Sequence, residues 1–282
     1  VLSREQAARD EAEAAQRWLV FEREVAEARA GELAAANAAL ERERHELELA
    51  KQRLTAQYAV LKVLTQAGGL PEAGPRILES IGTSMGWAAG TLWMLDSAEG
   101  VLRPLHLWQA PGFQASTFLE RTRRTTYALG EGLVGRVFQT GEPAWIGEAT
   151  RQAHGRRVDL AAREGLHGAI WFPIRHGNAV LGVAEFFLPS RTPPDEETLR
   201  AIAALGNQIG QFIERVRVQS ALARSEERLD TILRSIADAV ITTDTCGRVD
   251  FMNPGAEALT GWPTLLARGR LGPALSWVWT PA

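Results

Sequence analysis

The chain has 282 residues, enough for about two domains, and its formal net charge of −3 gives no reason to expect nucleic acid as a partner. Its single cysteine, Cys246, excludes an internal disulfide framework and a cysteine-based zinc site. No run approaches the roughly 18 apolar residues of a membrane helix, so we expect no membrane segment and a cytoplasmic protein.

The N-terminal segment, residues 3–66, is predicted to be one long helix. It contains no proline and is rich in good helix formers, and Ser3 with Gln6 makes a capping box. Because this pattern is already under way at Val1, we expect the sequence to be a fragment or a processed reading frame. Five leucines recur at intervals of seven, the period of a left-handed coiled coil: Leu33, Leu40, Leu47, Leu54 and Leu61. The second seam position is mixed in polarity. We therefore favour a parallel dimeric coiled coil whose helices can shift, with a single amphipathic helix lying on its own domain as the alternative.

The segment 67–192 is predicted to be a globular core of the α+β class. A helix opened by Pro71 ends near Gly86, and two strands over 89–96 and 101–110 form a hairpin in which Pro104 predicts a bulge or a sheet edge. The elements predicted after them are a helix over 113–124, a strand over 125–129, a short helix over 159–165 and strands over 169–175 and 180–188. Antiparallel strands with helices between them give an α+β sandwich.

The most informative stretch, residues 129–146, reads LGEGLVGRVFQTGEPAWI. Gly130, Gly132 and Gly135 have the spacing of a dinucleotide-binding loop. That interpretation requires a full crossover helix after the loop, and Gly141 and Pro143 stop this helix after about two turns, too short to cross a sheet. The favoured interpretation is a short helix beside an antiparallel sheet, and a dinucleotide-binding enzyme is the alternative.

The same stretch resembles the middle segment of GAF sensory domains, in which a short helix runs into a Gly-x-Pro turn and a strand. The later strings AREGLHGAIWFPI and LGVAEFF resemble the closing hairpin of that family. The resemblance covers about residues 58–215 and rests on the order of all the elements. It implies an antiparallel sheet with helices packed on it, and a small-molecule cavity between the sheet and the helices of the middle segment.

Aromatic side chains are concentrated in or beside the predicted sheet. We predict that the ligand pocket is lined by Trp93, Phe138, Trp145, Trp171 and Phe172. Strand alternation places Trp171 and Phe172 on opposite faces, so at least half of the aromatic side chains belong to ordinary core. Two groups of arginines are candidates for contact with an anionic ligand, with solvation at the surface as the default: Arg156 with Arg157, and Arg121 with Arg123 and Arg124.

The segment 193–237 is predicted to be a second long helix, because prolines and acids at 193–196 favour a helix N-terminus. Its apolar positions, spaced by three and four, are assigned to the dimer seam: Ile202, Leu205, Ile209, Phe212 and Val216. The pattern then slips in phase and continues from Val218 to Ile236. The sequence leaves open whether one helix shifts register there or two helices meet near Arg217.

Residues 225–263 resemble the start of a PAS domain, with its first helix, first hairpin and Asn-Pro helix turn in SEERLDTILRSIADAVITTDTCGRVDFMNPGAEALTGWP. The turn at Thr245-Cys246-Gly247 supports the hairpin independently. Because the residues that follow do not continue the pattern of that family, we expect a truncated PAS unit over 238–282.

No catalytic residue or metal site is predicted for this chain. His45 stands in Arg-His-Glu-Leu, which resembles the phospho-acceptor box of histidine kinases but lacks their Arg-Thr-Pro continuation, and the histidines include no i, i+4 pair. Cys246 lies outside the GAF-like core, which disfavours bilin attachment and methionine sulfoxide reduction, so no cofactor is assigned.

These patterns predict a sensory and dimerisation region of a signal-transduction protein. A small-molecule or redox signal is sensed in the GAF-like core of a homodimer and relayed through parallel helices. The resemblance implies a histidine kinase of a two-component system as the output, with the sensor region of a diguanylate cyclase as an alternative.

Overall fold

The structure is a computed structural model that describes residues 2–146, 156–189, 193–236 and 238–271. The chain divides after Gln211 into two compact units, 1–211 and 212–282. In the described part of the chain, no helix combines the length and the apolar character that crossing a membrane requires.

The first unit begins with helix α1, Leu2–Gln66, which is a single helix of 65 residues. Its last turns carry a buried face formed by Ala56, Val60 and Leu64, and these turns pack against helix α2, Leu70–Met85. The five leucines at seven-residue spacing, from Leu33 to Leu61, lie between 49% and 67% exposed. Helix α1 therefore has one face on its own domain and a different apolar stripe open to solvent.

The core of the first unit is a six-stranded sheet in which every neighbouring pair is antiparallel. Its strands are β1 (Ala89–Asp96), β2 (Val101–Gln109), β3 (Tyr127–Ala128), β4 (Ala144–Ile146), β5 (Gly168–His176) and β6 (Ala179–Leu188). They lie in the order β3-β2-β1-β6-β5-β4, so β6 occupies the interior beside β1 and β5. The predicted α+β class is confirmed. Pro104 pairs with Trp93 next to a register shift, which is the bulge expected for this strand.

Helices cover both faces of the sheet. On one face lie α3 (Ser116–Arg123), α4 (Gly132–Thr140) and α5 (Arg156–Arg163), which pack with Trp93, Trp171 and Phe187 into one core. On the other face lie α2 and the start of helix α6, Glu196–Ser235. A Cβ atom added at Gly206 of α6 would lie 2.2 Å from the carbonyl oxygen of Pro173, so this helix rests directly on the backbone of β5.

The glycine-rich stretch forms a tight turn from β3 into α4. Gly130 and Gly132 have φ values of 80° and 60°, which favour glycine, and a Cβ at Gly135 would lie 2.3 Å from the carbonyl oxygen of Ala128. Helix α4 has only nine residues, and β3 pairs antiparallel with β2. The parallel strands that a dinucleotide-binding loop connects do not occur among the described residues, so turn geometry and close packing explain these glycines.

The second unit contains the rest of α6 and a small α+β group. Helix α6 is continuous through Arg217, so one helix carries the phase slip. The group comprises β7 (Ile241–Thr243), β8 (Val249–Met252), α7 (Pro254–Thr260) and α8 (Thr264–Ala267). The buried amide of Asn253 accepts hydrogen bonds from the backbone N–H groups of Ala256 and Val240. It also donates to the carbonyl oxygens of Leu233 and Ile236 at the end of α6, which attaches the helix end to the hairpin.

Candidate ligand-binding site

The candidate site is centred on Glu185, the one charged residue of the otherwise apolar strand β6. Its side chain is fully buried. It lies on the face of the sheet covered by α3, α4 and α5, between Trp93 of β1 and Trp171 of β5. An ionised carboxylate at such a position requires close partners, because burial without them costs far more than folding can supply.

The Glu185 carboxylate has a complete set of four donors, two at each oxygen. The indole Nε1 of Trp93 donates to Oε2 at 3.0 Å and that of Trp171 donates to Oε1 at 2.6 Å. The guanidinium of Arg157 supplies the other two, with Nη1 donating to Oε2 at 2.9 Å and Nη2 donating to Oε1. This fork-to-fork geometry is the strongest arrangement of an arginine with a carboxylate.

Arg157 reaches the carboxylate from helix α5, and its side chain is 8% exposed. Besides the two bonds to Glu185, its Nε donates to the hydroxyl of Tyr127 at 3.1 Å and its Nη1 donates to Oγ1 of Thr122 at 3.2 Å. The Thr122 hydroxyl in turn donates to the carbonyl oxygen of Phe118. Three elements outside the centre of the sheet, α3, β3 and α5, therefore meet at one guanidinium.

Four aromatic rings surround the same guanidinium. The distances from Cζ of Arg157 to the ring centroids are 5.2 Å for Trp93, 5.3 Å for Phe118, 5.5 Å for Phe187 and 5.8 Å for Tyr127. Each lies within the range of a cation–π interaction, which is stronger where water is excluded. We call Glu185, Trp93, Trp171, Phe118, Tyr127 and Phe187 the aromatic cage.

The electrostatics of the cage follow from burial and from the ion pair. Burial raises the pKa of the Tyr127 phenol, although the charge of Arg157 opposes that shift. Burial also works to lower the pKa of Arg157, but the charge of Glu185 overcomes it, and the pKa of the guanidinium lies above its usual range. Arg157 therefore stays charged, and its positive charge belongs to the normal state of the cage.

The predicted pocket residues fall in three places. Trp93 and Trp171 belong to the aromatic cage, and Phe138 of α4 packs at the margin of the same core. Phe172 points to the opposite face, where it stacks on Phe186 with the ring planes 6° apart. Trp145 is half-buried and lines a different cavity. The structure therefore brings Trp93 and Trp171 together around one carboxylate and separates the other three from it.

That different cavity has a volume of about 550 Å³ and lies beside α1 and the start of α6. Its lining includes His45, Trp87, Trp145, Ile170 and Pro194. It is large enough for a small molecule and its lining includes the polar residues Glu46, Gln52, Asp195 and Thr198, but no pair of opposite charges is buried in it.

The roles of the two charged residues of the site are not evident from the sequence. The pattern around Arg157 favours a solvated surface position, and Glu185 and Tyr127 belong to no motif; the side chain of Arg156 lies outside the described residues. One signal was available, because a single carboxylate inside the apolar strand VLGVAEFFL must either face solvent or have a buried partner.

The predicted seam residues of α6 differ from those of α1 in their exposure to solvent. Ile202, Leu205 and Ile209 are at most 1% exposed within the first unit. In the second unit Phe212 is buried and Val216 is half-buried. Further along α6, Val218, Leu222 and Leu229 are all more than half exposed. Accessible apolar stripes therefore lie on α1 and on the later part of α6, and the first seam positions of α6 belong to the core of the chain.

Comparisons with known proteins place this site within a recognised fold. The family model described as "GAF domain" matches residues 68–214, and a model described as "PAS domain" matches residues 227–281. No curated protein matches the chain.

Among solved structures, a GAF domain from a phosphoenolpyruvate-protein phosphotransferase of Coxiella burnetii is 18% identical, with a TM-score of 0.50, over 60% of this chain and 98% of that chain. The nlh2 GAF domain of A. Aeolicus in an inactive state is 22% identical, with a TM-score of 0.48, over 59% of this chain and 98% of that chain. A GAF domain from an Acinetobacter phosphoenolpyruvate-protein phosphotransferase is 15% identical, with a TM-score of 0.48, over 60% of this chain and 97% of that chain.

Proposed function

This chain belongs to the GAF domain family, and from that premise we propose that it is the sensory and dimerisation region of a signal-transduction protein. A small molecule is sensed in the GAF domain, and the signal is relayed through α1 and α6. The chemistry of the aromatic cage supports sensing rather than catalysis. Its groups bind and orient a charge, and they include no nucleophile beside a general base.

The location of the aromatic cage supports a ligand site there. It lies between the sheet and the helices α3, α4 and α5, where the family resemblance implies a small-molecule cavity. A fully buried ion pair is rarely needed for the stability of a fold, since apolar side chains of similar volume often stabilise the fold as well or better. A charged centre in this core is therefore better explained by recognition.

The observation that carries the relay is the exposed leucine stripe of α1. Leu54 and Leu61 are 67% and 49% exposed, although Ala56 and Val60 on the same turns are completely buried against the domain. A seven-residue repeat is the period at which two helices of the same sequence pack along a left-handed seam. The occupant proposed for the stripe is therefore the same stripe of a second copy, in parallel orientation.

The output domain and the cellular setting are part of the same proposal. A GAF domain that is preceded by the long helix α1 and followed by the long helix α6 and PAS-like elements supports the proposal of the sensor region of a cytoplasmic histidine kinase in a two-component system. A diguanylate cyclase output is the alternative and uses the same helices. The division into an N-terminal coiled coil (3–66), a GAF core (67–192), a signalling helix (193–237) and a PAS unit (238–282) is part of the proposal.

The test is the oligomeric state of the chain, measured by light scattering after size exclusion. We expect a mass about twice the chain mass of 30.8 kDa. Replacing Leu40 and Leu47 together by Glu should weaken the dimer by more than about tenfold, because like charges then face each other in an apolar seam. The matched control replaces Ala35 and Ala38, exposed on the opposite side of α1, by Glu, and should stay dimeric. A monomeric wild-type chain would refute the relay.

A further inference from the structure

We infer that the aromatic cage is a binding site for an organic cation with a planar, two-pronged head group, a guanidinium or an amidinium, which exchanges with the side chain of Arg157. This inference rests on the proposed sensory function and names the ligand class of that function.

The fixed part is the carboxylate with its two indoles. Glu185, Trp93 and Trp171 lie on β6, β1 and β5, three neighbouring strands in the interior of the sheet. All three side chains are at most 1% exposed. Each indole N–H holds one carboxylate oxygen, so the orientation of the carboxylate does not depend on the arginine. A site held by packed strands in this way is preorganised for its partner.

The part that can leave is the guanidinium. Among the described residues, Arg157 is the only hydrogen-bond partner of the Glu185 side chain that does not belong to the sheet. It lies on an eight-residue helix whose Asp159 and Arg163 face solvent. Rotation of one long side chain about its own torsions removes the charge from the cage without moving a strand. In contrast, Glu185 cannot leave unless β6 separates from both neighbouring strands.

What remains after the arginine leaves is selective for a cation. Each carboxylate oxygen keeps its indole bond and has one free acceptor direction, which gives a two-oxygen fork for two parallel N–H donors. Four ring faces surround the position of the charge, and ring faces attract cations and repel anions. The hydroxyls of Tyr127 and Thr122 accept further N–H groups. An anion at this position would face the Glu185 carboxylate.

The exchange also connects the ligand to regulation. In this structure Arg157 joins α5 to α3 through Thr122 and to β3 through Tyr127. A ligand that takes its place releases α5 from both contacts. Arg157 therefore acts as an internal competitor that sets the ligand concentration at which the sensor responds. The apparent association constant of a ligand equals its intrinsic association constant multiplied by the fraction of molecules in which Arg157 has left the cage.

The experiment measures binding of ethylguanidinium, with the neutral isostere ethylurea as the control ligand. Thermal unfolding and tryptophan fluorescence are recorded at up to about 10 mM ligand, far below denaturing concentrations, for wild type, Arg157→Ala, Arg157→Lys and the double variant Arg157→Ala with Glu185→Gln. Arg157→Lys retains a charge for Glu185 and provides a weakened competitor, in case the alanine variant does not fold.

We expect ethylguanidinium to bind the Arg157→Ala variant about tenfold or more tightly than wild type, because the internal competitor is gone. The melting temperature of that variant should rise by about 3 °C or more, and Arg157→Lys should respond between the two. Ethylurea should have little effect on any variant. The double variant should not respond to either compound.

Three outcomes would overturn the inference. One is the absence of any response to ethylguanidinium in wild type and in both single variants. Another is an equal response to ethylurea, which would show a merely apolar cavity. The last is a response that persists with Glu185→Gln, which would place the compound elsewhere, for example in the 550 Å³ cavity. None of these outcomes concerns dimerisation. The oligomeric state of the wild type and of the Leu40 and Leu47 double variant therefore tests the proposed function separately.

Discussion

At the residue scale, the Arg157–Glu185 pair should be strongly coupled. Glu185→Leu alone leaves a buried guanidinium without a counter-charge, and we expect it to lower the free energy of unfolding by about 3–5 kcal/mol. Combining it with Arg157→Met replaces both charges by apolar groups and should recover a large part of that loss. Urea unfolding of the two single variants and the double variant measures the coupling energy. Strictly additive losses would contradict the role of the pair as a unit.

A second residue, His106, should make stability depend on pH. Burial is the largest cause that lowers its pKa from 6.5, and a backbone contact at Leu70 partly opposes the shift. The unfolded chain therefore takes up the proton more readily than the folded chain. The contribution of neutral His106 to the free energy of unfolding is fully present above about pH 6.5. It is lost as the pH falls from there through the lower pKa of the folded state.

The check is thermal unfolding of wild type and His106→Asn between about pH 7 and pH 5, where histidine rather than carboxylates titrates. Asparagine stays neutral over this range, so the variant should lose less stability than wild type on acidification. Parallel curves for the two proteins would show that His106 is not responsible for the acid sensitivity.

Among the residues of the candidate site, the two tryptophans were predictable from the sequence and the ion pair was not. Trp93 and Trp171 were predicted for the pocket because aromatic residues at alternating strand positions are visible in the chain itself. Arg157 and Glu185 were not paired, because 28 positions separate them and only the fold brings a helix side chain over an interior strand. Local pattern gives the period of an element, whereas the burial of a charge depends on a distant partner.

At the element scale, the contact of α6 with β5 depends on two glycines. A Cβ at Gly206 would lie 2.2 Å from the carbonyl oxygen of Pro173, and one at Gly210 would lie 1.9 Å from that of Arg175. Backbone atoms cannot rotate away, so Gly206→Ala and Gly210→Ala should each destabilise the first unit by about 1–3 kcal/mol or more.

The matched control is Gly31→Ala in α1, where nothing lies within 4 Å of the added atom. That change should be neutral or stabilise the helix by up to about 1 kcal/mol, because alanine is the better helix former. Urea unfolding compares the three variants. If all three glycines behaved alike, close packing of α6 on β5 would not explain Gly206 and Gly210.

The elements themselves were largely predictable, since Gly86, Pro143 and the hairpin turns mark boundaries that the structure reproduces. The differences arise where tertiary packing decides. Helix α5 includes Arg156, whereas the predicted helix begins at 159. Strand β3 is shorter than the predicted strand 125–129, because only Tyr127 and Ala128 pair with β2. Ile202, Leu205 and Ile209 have a helical period, but that period does not distinguish a partner helix from the sheet of the same chain.

At the scale of the whole molecule, the function depends on the direction in which two chains pair. In a parallel dimer both GAF domains lie at the same end of the α1 pair, so a ligand in either acts on one shared seam. In an antiparallel dimer the two domains lie at opposite ends and act on separate contacts. The five exposed leucines satisfy the seven-residue period in both directions, so periodicity alone does not select one.

Cysteine cross-linking distinguishes the two directions. Cys246, the single cysteine and an exposed one, is first replaced by Ser, and Leu33→Cys or Leu61→Cys is introduced in that background. A disulfide requires Cα atoms within about 7 Å, so a parallel seam joins each cysteine to the same residue of its partner. We expect both single-cysteine variants to cross-link with themselves on oxidation. A cysteine at Ala35, on the opposite side of the helix, should remain reduced.

An antiparallel pair centred on Leu47 would give the reverse pattern, because Leu33 and Leu61 are equally distant from it along the chain. Neither variant would then cross-link alone, and only an equimolar mixture of the two would yield a disulfide dimer. That result would exclude a shared seam between two GAF domains at one end. Since a register change in one helix reaches the second copy only through such a seam, the relay from the aromatic cage requires the parallel outcome.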